Sequence, residues 1–382
     1  MWAEARLRLI DDMPGDWREG TFLGRLLLAE GPTPVLLRHG ELLDISASAP
    51  TTAQAVERGD LTSLSGRSLG NLEAMGLSDT SAIPRLLSPL DLQCVKASGV
   101  TFAVSAVERV IEERARGDAG AARAIRSALA DRVGADLSAV KPGSPDAEAL
   151  KAVLIEEGLW SQYLEVAIGK DAEIFTKAPV LASVGWGDLV GVRSDSAWNN
   201  PEPEIVLVCD PVGKVAGAAL GNDVNLRDIE GRSALLLGKA KDNNASASVG
   251  PFIRLFDETF GIDDVRDAVV SLQVVGEDGF KISGQSSMRL ISRDPLELVA
   301  QTLSSAHQYP DGFALYLGTM FAPIDDRDAP GQGFTHKMGD EVCVSSPKLG
   351  VLRNRVASCE DAPPWTFGIS SLMSNLARRG LL

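Results

Sequence analysis

The chain predicts an α+β fold, and two observations carry that prediction. Short branched apolar runs separated by turn signals read as mostly antiparallel strands in the first 90 residues and again from Glu173 to about Ile282. Between them lies a block rich in alanine and charge that reads as helices. Helices inserted between strands, and set apart from them, indicate α+β rather than a doubly wound sheet.

The elements follow in order. Thr21–Leu28 and Pro34–Arg38 read as strands parted by Glu30-Gly31-Pro32. Ser88-Pro89-Leu90-Asp91 reads as a linker, so residues 1–90 are expected to form a small N-terminal domain and 91–382 the main body. Within that body a helical insertion is expected over about 105–168. Val104, Val107, Val110 and Ile111 recur at helical spacing, and Ala121–Val133 continues the pattern. Ser144-Pro145-Asp146 then supplies a helix start. The block reads equally as a packing layer or as a lid. Asp294–Gln308 predicts a helix, and Phe313–Thr319 a strand ending in a small-residue turn. A last helix falls between Trp365 and Leu382, with Arg378 and Arg379 near its end where the helix dipole favours cations.

The segment with most chemical content is Pro201-Glu202-Pro203-Glu204, followed some twenty residues on by Asn222-Asp223. Glu204–Cys209 reads as a strand, Asp210-Pro211-Val212-Gly213 as a turn and Val215–Leu220 as the returning strand. Strand side chains alternate faces, so Glu202 and Glu204 point the same way. A hairpin pivoting near Val212 pairs Glu204 with Ala219 or Leu220 and brings Asp223 close to Glu202. Three carboxylates then converge with no obvious basic partner in the sequence, and they repel one another unless a cation lies between them. Oxygen-only ligation suits Mg²⁺, Mn²⁺ or Ca²⁺. The plainer alternative is an exposed acidic turn, against which Pro203 between two acids is an odd choice for a solvated strand.

Composition removes other classes. A net charge of −15 argues against nucleic acid, whose phosphates need a basic face. No apolar run reaches the length of a membrane helix, and the start lacks the apolar core of a signal peptide. The cysteines Cys94, Cys209, Cys343 and Cys359 have no metal-type spacing, which fits a reducing cytoplasm. His39, His307 and His336 are too scattered for a histidine-rich zinc site. Neither a Walker-type loop nor a G-x-G-x-x-G after a strand is present, which disfavours a nucleotide enzyme.

Phe175-Thr176-Lys177-Ala178-Pro179, Pro201–Ile205, Leu220–Asp228, Lys241-Asp242, Gly250-Pro251 and Leu317-Gly318-Thr319 resemble, in that order, the fumarylacetoacetate hydrolase superfamily over roughly residues 90–350. The resemblance implies a mixed β-roll catalytic domain with a smaller N-terminal domain, assembled as a homodimer or homotetramer. It implies Mg²⁺, with Mn²⁺ as the alternative, on Glu202, Glu204 and Asp223, the same three residues the hairpin brings together. The family's active-site lysine falls on Lys241, and its late glycine-threonine turn puts a substrate contact on Thr319.

One departure bears on the reaction. Members that cleave C–C bonds carry a water-activating His and Glu, and the corresponding stretch, Gly99–Glu108, has Ser105 in place of the histidine. Serine is no general base near neutral pH without a helper. Together with Glu173-Ile174-Phe175-x-Lys177, this is similar to the branch that dehydrates 2-keto-3-deoxy sugar acids, pentonates in particular. The implied activity is that of a lyase acting on a small sugar acid to give 2,5-dioxopentanoate. Glu173 is expected to be the principal proton-transfer group, and Lys241 to stabilise the enolate or, if burial lowers its pKa, to take the C3 proton. Ser105 is expected to hydrogen-bond substrate or water, or simply to cap a helix. Lys177 and Thr319 would hold the substrate carboxylate, and Glu108 would sit at the substrate or on a lid. The rivals are a C–C hydrolase or decarboxylase of a β-diketo acid on the same scaffold, and a non-catalytic sugar-acid binding protein.

Overall fold

The computed structural model describes residues 7–79, 82–125, 137, 140–321, 323–329 and 333–382. Part of the helical stretch expected over Ala121–Val133 lies outside them; residues 121–125 are helical. The strands are β1 (Thr21–Leu28), β2 (Gly31–Arg38), β3 (Glu41–Asp44), β4 (Arg67–Asn71), β5 (Arg85–Leu87), β6 (Cys94–Gly99), β7 (Glu173–Ala178), β8 (Leu189–Val192) and β9 (Asn199–Asn200). They continue with β10 (Pro203–Cys209), β11 (Val215–Asp223), β12 (Asn225–Leu226), β13 (Ala247–Leu255), β14 (Val269–Val275), β15 (Lys281–Ser287), β16 (Phe313–Tyr316), β17 (Glu341–Ser346) and β18 (Gly350–Ser358).

Among the described residues these make a long sheet of order β4-β3-β2-β1-β13-β11-β10-β16-β6-β7, with β5 also on β1, and a smaller sheet β15-β14-β17-β18-β8. Pairing is antiparallel except for β16 with β6 and β8 with β18. The fold is thus α+β with mixed sheets, as expected. The strands of the first 90 residues do not close a sheet of their own. β1 pairs with β13, setting Phe22 opposite Arg254, so they extend the main sheet.

β10 explains why the centre reads as an unbroken apolar run. Ile205, Leu207 and Cys209 enter one apolar cluster, while Val206 and Val208 enter another on the opposite face. A strand covered on both sides has no polar face to show.

The helical block packs as a third cluster, in which Val107, Val110 and Ile111 meet Leu154, Leu164 and Trp198. Ser144 caps the helix Pro145–Glu156 by accepting from Ala147 N, with Pro145 in the first turn where its missing N–H costs nothing. The helix at Asp294 is shorter than expected. Asp294 caps Pro295–Thr302, but Leu303 is extended and Ser304 closes a tight turn with His307. The last helix, Ile369–Arg378, is where expected.

The expected hairpin is off by one residue. Glu204 faces Gly221, because a bulge between Val208 and Cys209 leaves Ala216 unpaired on β11. Asp223 N donates to Glu202 O at 3.0 Å, which fixes that end of the ladder.

Candidate active site

β10 and β11 deliver Glu202, Glu204 and Asp223 to one point, with an oxygen of each within 4.8 Å of the others. All three are buried. Glu202 and Asp223 stand opposite across the ladder, and Glu204 lies two residues along the same face. Glu204 Oε2 accepts from Gly318 N at 2.7 Å. Gly318 has φ +100°, which a side chain would strain, so the glycine-threonine turn is shaped to present that amide.

The carboxylates do have basic partners, contributed by distant parts of the chain. Lys241, at the end of the helix Leu237–Lys241, donates to Glu202 Oε2 and, at 3.0 Å, to Asp223 Oδ2. Lys177 on β7 reaches Asp223 Oδ1 at 2.7 Å. Arg109, on the helix Ala103–Arg114, donates to Glu202 Oε1 and pairs with Glu112 at 2.5 Å and Glu230 at 2.9 Å. Arg227 Nε meets Glu112 at 3.1 Å.

Electrostatics divide the triad. Burial, then the charges of Asp223 and Glu202, push the Glu204 carboxyl well above its ordinary value. Burial acts the same way on Asp223, but Lys177 and Lys241 outweigh it and hold that carboxyl below its usual range. A site that carries one reluctant carboxyl among all-oxygen donors fits a hard divalent cation, which would remove the repulsion behind the Glu204 shift.

Glu173 opens β7, paired with Gly99. A side chain at residue 99 would collide with its carboxylate, the Cβ position lying 1.8 Å from Glu173 Oε2. Burial raises the Glu173 carboxyl, against the opposing pull of Arg109 and Lys241. The cavity over the triad is lined by Glu173, Lys241, Thr319, Arg109 and Glu230 together with Glu202, Glu204 and Asp223.

Several expected roles change. Lys241 is not a lowered-pKa base: burial does depress it, but Asp223 and Glu202 outweigh burial and raise it. Lys177 is not free to hold a substrate carboxylate. Its ammonium is spent on Asp223, on the carbonyls of Val224 and Lys241, and on Ser246. Ser105 is not the helix cap and is not among the residues that line the cavity. The helix begins after Phe102, and the Ser105 hydroxyl donates to Thr319 O at 2.6 Å, tying the helix to the glycine-threonine turn. Thr319 does line the cavity, with its hydroxyl donating to Phe321 O at 3.1 Å. Glu108 is buried on the helix and is not among the lining residues.

Sequence reasoning missed Arg109, Glu112 and Glu230. A signal was present: Arg109 and Glu112 are opposite charges three apart on the helix Ala103–Arg114, a spacing that places both on one face.

No family model matches the chain. It is 34% identical over 155 residues to the 2-dehydro-3-deoxy-D-arabinonate dehydratase of Saccharolobus solfataricus, covering 41% of this chain and 51% of that protein. It is 28% identical over 203 residues to the probable 2-keto-3-deoxyxylonate dehydratase of Haloferax volcanii, covering 53% and 66%. The chain thus spans about half to two thirds of the length of the curated relatives it matches. A solved 2-keto-3-deoxy-D-arabinonate dehydratase, complexed with magnesium and 2,5-dioxopentanoate, superposes with a TM-score of 0.62 at 21% identity, over 88% of this chain and 99% of that one. Fumarylacetoacetate hydrolase from Exiguobacterium antarcticum superposes with a TM-score of 0.54 at 17% identity, again over 88% and 99%. The chain therefore has the fold of fumarylacetoacetate hydrolase and is similar in sequence to 2-keto-3-deoxypentonate dehydratases, the likeness that its motifs from Phe175 to Thr319 imply.

Proposed function

We propose that the protein is a Mg²⁺-dependent dehydratase that converts a 2-keto-3-deoxypentonate into 2,5-dioxopentanoate. The observation that carries this reading is the content of the cavity. Glu173 lies in it, half-buried with its carboxyl raised, while no histidine is among its described lining residues. The Ser105 hydroxyl, at the position of the water-activating histidine, is spent on Thr319 O. The site therefore offers a carboxylate base and, among its described lining residues, no histidine to pair with it in activating water. The names of the sequence relatives, and the magnesium and 2,5-dioxopentanoate complex of the similar structure, support the same substrate class.

Glu202, Glu204 and Asp223 would hold the metal. Bound there, it supplies Lewis acidity that makes the protons on C3, next to the keto group, easier to remove. Glu173 takes one of them. Lys241 stays charged and keeps Glu202 and Asp223 aligned, while its ammonium offsets negative charge developing on the substrate. Mn²⁺ meets the same oxygen donors. We extend the reading to a cytoplasmic homodimer or homotetramer, supported by the four free cysteines and by the family likeness. Among the described residues no helix is long and apolar enough to cross a membrane.

The test is turnover of both enantiomers of 2-keto-3-deoxypentonate with and without Mg²⁺, with products resolved by mass and NMR. The expected product keeps all five carbons and has lost one water. Smaller fragments would transfer the protein to the C–C cleaving hydrolases, and unchanged ligand would make it a binding protein.

A further inference from the structure

Resting on the dehydratase reading, we propose that Glu230 is the second proton-transfer group of this site, delivering a proton to the departing hydroxyl while Glu173 works at carbon. Glu230 ends the helix Arg227–Glu230 and lines the same cavity as Glu173. It is 3% exposed. Its Oε2 lies 2.9 Å from Arg109 Nη1 but is not aligned to accept a hydrogen bond, which leaves a buried polar atom to satisfy. Arg109 is also shared with Glu112 and Glu202, so Glu230 has no cation to itself among the pairs seen here.

A charge census of the cluster points the same way. Arg109, Arg227, Lys177 and Lys241 face Glu112, Glu173, Glu202, Glu204, Asp223 and Glu230. A divalent cation would balance this buried set with every carboxyl ionised. A substrate carboxylate then adds one negative charge, which a single proton on one carboxyl removes. Burial lifts Glu230 to about 7 against the pull of Arg109, so it holds a proton at pH values where an ordinary glutamate has lost it. Two carboxyls pushed into different states by their surroundings make an acid–base pair.

The proton account closes. Glu173 carboxylate takes a C3 proton; the C–H pair forms C2=C3, and the carbonyl pair moves onto oxygen. That pair returns, C3=C4 forms, and the C4–O bond breaks, its electrons leaving with the oxygen, which takes the Glu230 proton and departs as water. Glu230, now ionised, removes a proton from C5 while protonated Glu173 returns its proton to C3, leaving a C4=C5 enol. The enol tautomerises to the aldehyde. Both residues end as they began, and no oxidant or reductant is needed.

Glu230→Gln and Glu230→Asp test this through two readouts: release of water, and exchange of C3 protium for deuterium in D₂O followed by NMR with Mg²⁺ present. In Glu230→Gln, water release is expected to fall by about 10²–10⁴-fold, with C3 exchange and calorimetric Mg²⁺ affinity kept. Water release near the wild-type rate overturns the proposal, and so does C3 exchange falling in step with it. If the amide disturbs the fold, Glu230→Asp decides. Water release above the glutamine variant with exchange intact supports the role, and joint loss of both overturns it. Absence of water release in the wild-type protein overturns the dehydratase reading, and this role with it.

Discussion

Lys177 Nζ stands 2.7 Å from Asp223 Oδ1, with both side chains shut away from water. Removing one partner of such a pair strands the other. Lys177→Met is expected to lower unfolding stability by about 3–5 kcal/mol in chelator. Added Mg²⁺ should recover part of that loss, since a bound cation faces the freed carboxylate. Urea unfolding with and without Mg²⁺ checks this, and an unchanged midpoint would remove Lys177 as the compensating charge.

Glu204→Gln should abolish Mg²⁺ binding and turnover together while leaving the metal-free fold intact. The Glu204 carboxyl is raised in the folded state, so the native protein binds more protons than the unfolded chain across the carboxylate range and above. Its contribution to metal-free stability is thus fully present below the unfolded pKa and is lost as pH rises through the folded one. Unfolding midpoints in chelator, followed from about pH 4 to about pH 8, should show that slope weakened in the glutamine variant. Full Mg²⁺-dependent activity in the variant would refute the metal assignment.

Gly99→Ala puts a methyl where the Glu173 carboxylate now lies. The backbone there is ordinary strand, so stability should barely change, while the carboxylate must swing aside. Turnover is expected to fall by about 10²-fold, the usual effect of a misplacement on the order of 1 Å. A crystal structure of the variant with Glu173 unmoved and activity lost would point to another cause.

Glu173→Gln should keep fold and Mg²⁺ affinity and lose about 10²–10⁴-fold in turnover. Burial raises this carboxyl, and the base form is the active one. The wild-type kcat/KM should therefore drop as pH falls through a value above that of an ordinary glutamate, and that limb should vanish in the variant. Wild-type rates would take Glu173 out of the chemistry.

The metal triad was legible because it is local: strand alternation and one hairpin bring Glu202, Glu204 and Asp223 together. The hairpin's exact offset was not, since a bulge leaves no mark in a run as bland as Val215-Ala216-Gly217. Arg109 reaches Glu202 across 93 residues of chain, and no short-range pattern encodes such a meeting. Lys177 and Lys241 could be located by resemblance, but their charge states follow from partners that only the fold supplies. That the main sheet runs on across the linker read at Ser88–Asp91 was not legible for the same reason, because the β1–β13 pairing joins segments far apart in sequence.

The unpaired Ala216 has a consequence at the other end of its hairpin. Were Ala216 paired with Val208 instead of bulged, the register would slip by one, and Asn222, not Asp223, would sit across from Glu202. An amide would replace a carboxylate in the triad, and Asp223 would turn to the opposite face of the sheet. One unpaired alanine, roughly 23 Å from Asp223 by strand rise, thus decides the charge at the centre of the site. Forcing Ala216 into the ladder would be a metal-site change made without touching a ligand, whereas deleting it would leave Asp223 opposite Glu202.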